Sequence, residues 1–472
     1  MKRIFIAALF QACILCAGYA QPLAVSKNGR FLTAQGGEPF FWLGDTGWEL
    51  FHRLDREEAL CYLENRAEKG FNLVQAVALH ELEAFESPNV YGDFPLKGRD
   101  ILIPDTTAGS DPGDPEQYDY WDHVEFIIRE AAGLGIITGL LPCWGEYVTP
   151  RFRDRTIGTV EQGYAFGWFV GKRFSAWNDH IVWILGGDRL PDERPYGVEI
   201  WRAMAEGITD GVTGRYGHDG KARYESTFMT YHCYPSSARW FHSDPWIDMH
   251  TWGSYHEKKD NERAFFEAQD DWDLPDPKPT LNSEPPYELH PVNYNHSDPD
   301  PERFDDFDVR QQAYWSVFAG TCGHTYGCHP VWQMYRKENP HPPLTLYTTG
   351  EWHEALDEPG AVQVGYLKKL ILSRDFNSRR PDQSILAENT HDPAGHLQAC
   401  SGKDFWMVYI PTGKEVKLYL GRTGKERVAF SWFDPRNGTF SGSREVAAEE
   451  VTSFDPPGEP ARGNDWVLVV DF

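Results

Sequence analysis

The stretch HIVWILGGD, from His180 to Asp188, is the segment that decides the fold. Residues 181–185 are apolar without a break, which is the pattern of a β-strand buried on both faces, as in a parallel sheet covered by helices. Gly186 and Gly187 follow and allow the backbone to approach a ligand closely. A helical pattern over residues 162–176 precedes the strand. The segment therefore predicts a helix–strand unit with a carboxylate, Asp188, where the strand ends.

Seven further strand-like runs alternate with amphipathic helical stretches between Pro39 and Pro330. One helix, over residues 55–69, begins with Asp55 and Glu58 in capping-box spacing and stops at Gly70. Eight such units predict an α/β fold, a (β/α)₈ TIM barrel, in which active sites lie at the carboxyl ends of the strands. The predicted strands cover residues 40–45, 71–78, 136–144, 180–188, 224–232, 246–252, 279–284 and 324–329.

The sequence changes in character after a last predicted helix over residues 361–373. From about Asp382, short alternating runs are separated by Gly, Pro and Asn, which predicts a small C-terminal antiparallel β-sandwich. We expect three parts: a signal peptide (1–20), the barrel (21–378) and the β-domain (379–472). The connection is short, so we expect the β-domain to pack on the barrel as a structural support.

The first twenty residues have the layout of a secretory signal peptide. Lys2 and Arg3 precede an apolar run over residues 4–17, and the small residues Gly18 and Ala20 follow it. This run is too short to cross a bilayer, and no later segment is apolar enough to do so. We expect an exported protein, periplasmic or extracellular, without a membrane span; lipid anchoring through a cysteine of the leader is the alternative.

Composition narrows the possible partners. The 472 residues carry 45 Lys and Arg against 71 Asp and Glu, a formal net charge of −26, which argues against a nucleic-acid partner. The 18 Trp and 22 Tyr suit either an aromatic core or rings that stack on sugars. The cysteines after the leader are sparse, which favours buried thiols, with a Cys322–Cys328 bridge as the alternative.

Two carboxylates end predicted strands on opposite sides of the barrel, Asp188 on the fourth and Glu284 on the seventh. Glycoside hydrolysis needs a carboxylic acid that protonates the leaving oxygen and a second carboxylate that attacks the sugar or activates water. The pair therefore predicts a glycosidase site. The alternative is that both are ordinary loop carboxylates that pair with Arg189 or another neighbour.

Other polar and aromatic residues lie at or just beyond the predicted strand ends and could bind a sugar. Each of them taken alone could equally be a hydrogen-bonded polar group that caps the barrel core. The candidate substrate-binding residues are Asp45, Trp48, His80, Trp144, His232, His250 and Trp252. No His-x-His occurs on the first strand and no His-Glu-x-x-His occurs in the chain, so we expect no metal. No organic cofactor is called for.

Three motifs in order carry a resemblance to a known family: WLGDTGW at residues 42–48, WILGGD at 183–188 and NSEP at 282–285. The chain resembles the apiosidase-like hydrolases, glycoside hydrolase family 140, over nearly all of its length. The resemblance implies a barrel followed by a collagen-binding-like β-domain. It also implies a polysaccharide or oligosaccharide substrate, namely cleavage between apiose and galacturonic acid in the pectin rhamnogalacturonan II, with Asp188 and Glu284 as the catalytic pair.

The strand positions indicate Asp188 as acid/base and Glu284 as nucleophile, with retention if the carboxyl groups lie roughly 5–5.5 Å apart. Because pectin is anionic and this protein is acidic, we expect a local cluster of Arg or Lys at the cleft, including Arg189 or Arg336. Two alternatives remain. One is a barrel glycosidase that acts on another plant or host glycan, and the other is a non-catalytic adhesin that binds a glycan or a protein.

Overall fold

Parallel strands occupy all eight of the predicted positions. The fold is that of a computed structural model, which describes residues 23–34, 36–80, 87–150, 157–232, 234–338, 348–390 and 392–472. The predicted signal peptide and Cys233 lie outside the described residues. A small antiparallel sheet comes first and leads into the parallel strands; it consists of β1 (Leu23–Val25), β2 (Leu32–Ala34) and β3 (Pro39–Phe40).

The eight parallel strands are β4 (Trp42–Thr46), β5 (Leu73–Val77), β6 (Ile137–Leu141), β7 (Ile181–Gly186), β8 (Met229–His232), β9 (His250–Gly253), β10 (Thr280–Glu284) and β11 (Gly323–Tyr326). Six of them form one sheet in the order β11-β4-β5-β6-β7-β8, and β9 and β10 form a separate parallel pair. The described residues of all eight strands are buried. The predicted α/β class is confirmed as a curled, parallel half-barrel with a separate strand pair.

Single contacts, and not a continuous backbone ladder, join the strand pair to the larger sheet. On one side, the Thr230 hydroxyl donates to the carbonyl of Met249 over 2.9 Å. On the other, the amide of Cys322 donates to the carbonyl of Thr280 over 2.9 Å. The backbone ladder therefore does not by itself make the unbroken eight-stranded barrel that the sequence predicts.

Helices pack against the parallel strands: α1 (Leu50–Arg53), α2 (Arg56–Glu68), α3 (Tyr120–Gly133), α4 (Val160–Arg173), α5 (Gly197–Thr213), α6 (Ala238–Phe241), α7 (Arg263–Trp272), α8 (Asp306–Phe318), α9 (His329–Trp332) and α10 (Pro359–Leu372). The predicted capping box of α2 is confirmed, since Asp55 and Glu58 cap each other's backbone. Helices α4 and α5 touch closely, because a Cβ at Gly167 would lie 2.4 Å from the carbonyl of Met204.

Two predicted strands begin later than their apolar composition indicates. Residues 224–226 form a 3-10 turn, so β8 begins only at Met229. His250 is the first residue of β9 and not a residue near its carboxyl end. At the eighth strand, β11 ends at Tyr326 and His329 begins α9. Apolar side chains in these loops pack on the core, so composition alone extended the strands too far.

The C-terminal part is the antiparallel β-rich domain that the sequence predicts. Its strands are β12 (Arg380–Pro381), β13 (Gln398–Ser401), β14 (Phe405–Ile410), β15 (Val416–Leu418), β16 (Arg427–Asp434), β17 (Thr439–Phe440), β18 (Arg444–Ala447), β19 (Thr452–Phe454) and β20 (Trp466–Asp471). One sheet has the order β12-β13-β14-β20-β16-β17, with β18 paired to β16, and β15 pairs with β19.

The alternation of side chains on β14 and β20 explains why both strands are apolar throughout. Met407 and Tyr409 belong to the core shared with the α/β domain, whereas Trp406 and Val408 belong to the core of the β-domain itself. Successive residues of a strand point to opposite faces. One face of this sheet therefore packs on the α/β domain, which confirms the expected structural packing.

A buried ion pair crosses the same interface. The guanidinium of Arg310 on α8 donates to both carboxylate oxygens of Asp465, each over 3.0 Å, and the Tyr409 hydroxyl donates to Asp465. Burial raises the pKa of Asp465, while the Arg310 charge opposes that shift. Both side chains are almost fully buried, and Arg310 also pairs with Asp306 over 2.6 Å, so the Asp465 carboxylate depends on Arg310 more than Arg310 depends on Asp465.

The described cysteines are free. Cys322 and Cys328 are both buried thiols, so the alternative of a bridge between them is wrong. Within the ranges that the structure describes, none of the helices has the length and apolar composition needed to cross a membrane.

We predict that Arg310→Met destabilises the protein by about 3–5 kcal/mol, because it leaves the charge of Asp465 buried and unpaired. Urea unfolding followed by circular dichroism measures the change. The exposed pair of Arg427 and Glu445 gives the matched control, where Arg427→Met costs less than about 1 kcal/mol. Adding Asp465→Leu to Arg310→Met recovers part of the loss; equal losses for both arginine variants contradict the prediction.

Candidate active site

Glu284 ends β10 and lies almost buried, with 7% of its side chain exposed, between two histidines. Its Oε2 lies 2.9 Å from Nε2 of His232, the last residue of β8. Its Oε1 lies 3.5 Å from Nε2 of His256, in the loop after β9. A buried carboxylate needs hydrogen-bond donors or a positive charge, and these two rings supply them.

The hydrogen bonds of Ser283 fix the orientation of His232. The Ser283 hydroxyl donates to the carbonyl of Trp252 over 3.2 Å, so its oxygen is left to accept a hydrogen bond from the protonated Nδ1 of His232, 3.0 Å away. With Nδ1 protonated, the other nitrogen, Nε2, faces Glu284 and also lies 3.9 Å from Oδ1 of Asp188. That nitrogen carries either a second proton or a lone pair.

His256 has the opposite arrangement. The backbone amide of Tyr287 donates to its Nδ1 over 3.2 Å, which leaves the ring proton on Nε2, toward Glu284. Burial lowers the pKa of His256 to about 3, so its ring is neutral at physiological pH. The result is a neutral donor on one oxygen of Glu284 and the nitrogen of His232 on the other.

Asp188 comes two residues after β7 and is brought to this site by Gly186 and Gly187. Both glycines have positive φ, 93° and 145°, and a Cβ at Gly186 would lie 2.4 Å from the carbonyl of His232. The backbone turn therefore runs directly against the end of β8, which only glycine permits. Asp188 itself has 36% of its side chain exposed and accepts a hydrogen bond from the Tyr255 hydroxyl over 3.2 Å.

The two carboxylates have unlike surroundings. Burial and the negative charge of Glu284 raise the pKa of Asp188 to about 6, against the opposing effects of His232, Arg189 and Tyr255. Asp188 therefore holds a proton more readily than an ordinary aspartate, as a general acid must.

The two carboxylates lie close together. One oxygen of Asp188, one oxygen of Glu284 and a nitrogen of His232 all lie within 4.8 Å of one another. Inverting glycosidases hold their carboxyl groups about 6.5–9.5 Å apart to leave room for water, whereas retaining enzymes hold them about 5–5.5 Å apart. The closest atoms of Asp188 and Glu284 are therefore nearer than the spacing of an inverting site, and retention itself stays a prediction.

A cleft of about 720 Å³ opens beside Asp188. Four consecutive loops, those after β7, β8, β9 and β10, form its walls. Sequence analysis missed its three tyrosines, Tyr234, Tyr255 and Tyr294, because they lie in loops beyond the strand ends. Tyr255 and Tyr294 have a φ of 51° each, a strained conformation that is concentrated at functional sites. Such rings can stack on sugars.

Three of the predicted substrate-binding residues surround His232 instead of lining the cleft. The ring of Trp48 lies 5.4 Å from that of His232 and 5.1 Å from that of Trp144, and His80 packs on Trp144. His80 is held by Glu49 over 2.6 Å. These rings are buried, so in this conformation they support His232 and do not offer a face to a sugar.

Three other predicted residues make their contacts away from the carboxylate pair and are not among the residues that line the cleft, so their role as sugar ligands stays a prediction. Asp45 is fully buried against Arg66 of α2, 2.6 Å away. His250 is bonded to Ser237 and His242, and the Trp252 indole donates to Thr280, at the start of β10. His232 is the seventh of the set and contacts the catalytic pair directly.

The expected basic cluster is present only in part. Arg189 and Arg239 line the cleft, but Glu193 and Glu257 line it as well, so the cleft is not net basic. Arg336 lies elsewhere and pairs with Glu58. Arg189 is bonded to Glu146 over 2.8 Å. The arginine prediction is therefore right for Arg189 and wrong for Arg336 and for the sign of the cleft.

Residues 26–378 match the family described as apiosidase-like, catalytic domain. The chain belongs to the apiosidase-like family. Residues 380–471 match a second family, named for the collagen-binding domain of a collagenase. No curated protein matches the chain.

Solved structures agree with the apiosidase-like assignment. One, titled a glycoside hydrolase, is 29% identical with a TM-score of 0.82 and covers 96% of this chain and 98% of its own. Another, a glycoside hydrolase family 5 protein from Bacteroides vulgatus, is 30% identical with a TM-score of 0.81, covering 95% and 93%. A third from that organism, 13% identical with a TM-score of 0.64, shares the fold. The protein is a glycoside hydrolase.

We predict that Glu284→Gln lowers the pKa of Asp188 from about 6 toward the ordinary aspartate value, because it removes a nearby negative charge. Burial remains, so the pKa stays above that ordinary value. Titration of the carboxyl ¹³C signals by NMR measures the shift. Asp271, whose pKa burial raises to about 7 away from the pair, is the internal control. An unchanged or higher pKa of Asp188 contradicts the assignment.

Proposed function

We propose that this apiosidase-like protein is a retaining apiosidase of glycoside hydrolase family 140 that cleaves the bond between apiose and galacturonic acid in rhamnogalacturonan II. One observation carries the catalytic part: a carboxylate whose pKa is raised and a second, histidine-bound carboxylate lie within 4.8 Å beside a cleft. The family match supports the choice of apiose. An arginine that lines the cleft, Arg239, supports a uronate neighbour.

In the first step, Asp188 gives its proton to the glycosidic oxygen while an oxygen of Glu284 attacks the anomeric carbon. The bond to the leaving sugar breaks, and its electron pair stays on the protonated oxygen. A covalent ester of Glu284 with apiose results. The raised pKa of Asp188 supplies the proton at mildly acidic pH.

In the second step, the ionised Asp188 accepts a proton from a water molecule that attacks the same carbon. The ester bond breaks, Glu284 regains its charge, and apiose leaves with its original configuration. His232 and His256 hold the two oxygens of Glu284 in both steps. They position the nucleophile and do not touch the sugar.

Arg239 is the cation of the cleft that is available to a substrate carboxylate. Its guanidinium lies 5.2 Å from the Trp240 ring centre, and no carboxylate among the described residues pairs with it. Glu257, by contrast, is paired with Arg263 over 3.1 Å. The half-buried ring of Tyr234, backed by Arg263 at 4.1 Å, forms an adjacent stacking surface. A uronate can thus bind at Arg239 with its ring on Tyr234.

Two further parts of the proposal concern the whole molecule. The eight strands and the hydrogen bonds that join the β9–β10 pair to the six-stranded sheet form one distorted (β/α)₈ barrel. The basic start and apolar run of residues 1–20 direct export to the periplasm or the cell exterior.

We predict that the wild-type protein releases apiose-ended fragments from rhamnogalacturonan II whose side chains have been trimmed toward the apiose. Asp188→Asn and Glu284→Gln lower this rate by about 10²–10⁴-fold or more, because each removes a group that acts in the transition state. Product mass analysis measures release. The exposed carboxylate Asp192, outside the cleft lining, supplies the control variant Asp192→Asn.

An aryl glycoside with a good leaving group separates the two roles. Asp188→Asn keeps the first step on it, since no proton is needed, whereas Glu284→Gln does not. If the wild-type protein does not act on the pectin but hydrolyses another glycan, the substrate assignment is overturned and the glycosidase assignment remains.

We predict that Arg239→Gln raises KM for a uronate-bearing substrate by roughly 10–100-fold, the effect of losing one hydrogen bond to a charged group. For the same substrate with its carboxyl group reduced to an alcohol, we expect Arg239→Gln to raise KM much less. Steady-state kinetics on both substrates give the comparison. Arg422→Gln in the β-domain is the control for the loss of one positive charge. Equal KM changes for both substrates contradict a role in carboxylate recognition.

A further inference from the structure

The nitrogen Nε2 of His232 lies between two carboxylates in a way that calls for a positive charge. It is 2.9 Å from Oε2 of Glu284 and 3.9 Å from Oδ1 of Asp188. Since Ser283 accepts a hydrogen bond from the Nδ1–H group, a neutral His232 aims the lone pair of Nε2 at these carboxylates. Only a proton or a cation at this point removes the repulsion.

The same three atoms have the arrangement of a metal site. They all lie within 4.8 Å of one another. A tetrahedral Zn²⁺ with bonds of about 2.0–2.2 Å holds its ligand atoms about 3.4 Å apart, so small side-chain shifts suffice. Metal-bound histidines have their other nitrogen hydrogen-bonded, which fixes the tautomer, and Ser283 does this for His232.

The entrance to this point is open on one side. Asp188 has 36% of its side chain exposed and lines the cleft, whereas His232 and Glu284 are buried behind it. A cation arriving through the cleft therefore meets Asp188 first and keeps its fourth position open to water. The nearby guanidinium of Arg189 is bonded to Glu146 and to the carbonyl of Asp188.

We propose that Asp188, His232 and Glu284 form a Zn²⁺-binding site and that Zn²⁺ bound there reversibly inhibits the glycosidase. The metal displaces the proton from between the side chains into solvent. It then occupies both carboxylates, so Asp188 can no longer protonate a leaving oxygen and Glu284 can no longer attack. Binding of Zn²⁺ and of substrate exclude each other.

The ligand set favours zinc over the common oxygen-binding cations. Ca²⁺ takes six to eight oxygen ligands and Mg²⁺ takes octahedral oxygen sites, whereas imidazole with carboxylates suits Zn²⁺. Three protein ligands with one open position is also the composition of many zinc sites that bind water. We therefore expect Ca²⁺ and Mg²⁺ to bind far more weakly at this site.

The test is isothermal titration of metal-free full-length protein with ZnCl₂ near neutral pH, with no glycan present. We expect one Zn²⁺ per chain. Loss of a ligand in Asp188→Asn or His232→Gln weakens binding by more than about tenfold, and loss of the orienting oxygen in Ser283→Ala weakens it by about tenfold or more. Asp188 is partly exposed, so Asp188→Asn is expected to fold; circular dichroism checks each variant.

Two control variants address other carboxylates and histidines. Glu193→Gln changes a carboxylate that lines the same cleft but is not one of the three proposed Zn²⁺ ligands. His218→Gln breaks a surface pair in which His218 lies 3.2 Å from Glu206. Neither should alter the affinity for Zn²⁺. Equal affinity in wild type and Asp188→Asn, or loss of binding in His218→Gln, overturns the proposal.

Inhibition is measured separately on whichever glycoside the wild type hydrolyses. We expect Zn²⁺ to raise the apparent KM and a chelator to restore the rate. If Zn²⁺ binding depends on Asp188, His232 and Glu284 but the protein is inactive on pectin, the Zn²⁺ site is supported and the substrate assignment is overturned. Hydrolysis that is unaffected by saturating Zn²⁺ overturns the inhibitory role.

Discussion

The site depends on keeping one carboxylate, Glu284, nearly buried beside a second that is open to water. A buried carboxylate persists only with donors around it, and the structure meets this need with His232 on one oxygen and His256 on the other. Each ring is in turn fixed by a neighbour, Ser283 for His232 and the amide of Tyr287 for His256. The charge of Glu284 then raises the pKa of Asp188. The two carboxylates thus differ in exposure although they share one environment.

The fold supplies that environment by bringing the ends of four neighbouring strands together. β8 provides His232, β10 provides Glu284, and the loop after β9 provides His256. The turn after β7 can deliver Asp188 only because Gly186 and Gly187 press against His232 and Gly145 without a Cβ. A side chain at either glycine would push Asp188 away from Glu284. These glycines are therefore part of the site. The sequence suggested that they allow a ligand to come close, whereas the structure shows protein atoms packed against them.

The sequence predicted the strands, the proximity of Asp188 and Glu284 and the β-rich C-terminal domain, because buried strands have an apolar pattern that ends in a polar residue. It misplaced Asp45 because alternation along β4 decides which side chains face inward. Thr46 is bonded to Gln75, which reaches the carbonyl of Ser283, whereas Asp45 points to Arg66 on α2. The rings of Trp48 and Trp144, which the sequence suggested as sugar-stacking surfaces, instead pack on each other beside His232. The cleft tyrosines lie in irregular loops, where no periodic pattern marks them.

The charge of the cleft matters more for substrate choice than the net charge of the chain. At physiological ionic strength, charges are screened beyond about 8 Å, so a distant excess of carboxylates hardly acts on a bound sugar. Within the cleft, Glu257 is neutralised by Arg263, and Arg189 is shared with Glu146. Arg239 thus remains as one accessible positive charge among acidic neighbours. The proposed recognition of a uronate therefore depends on placing one substrate carboxylate at Arg239.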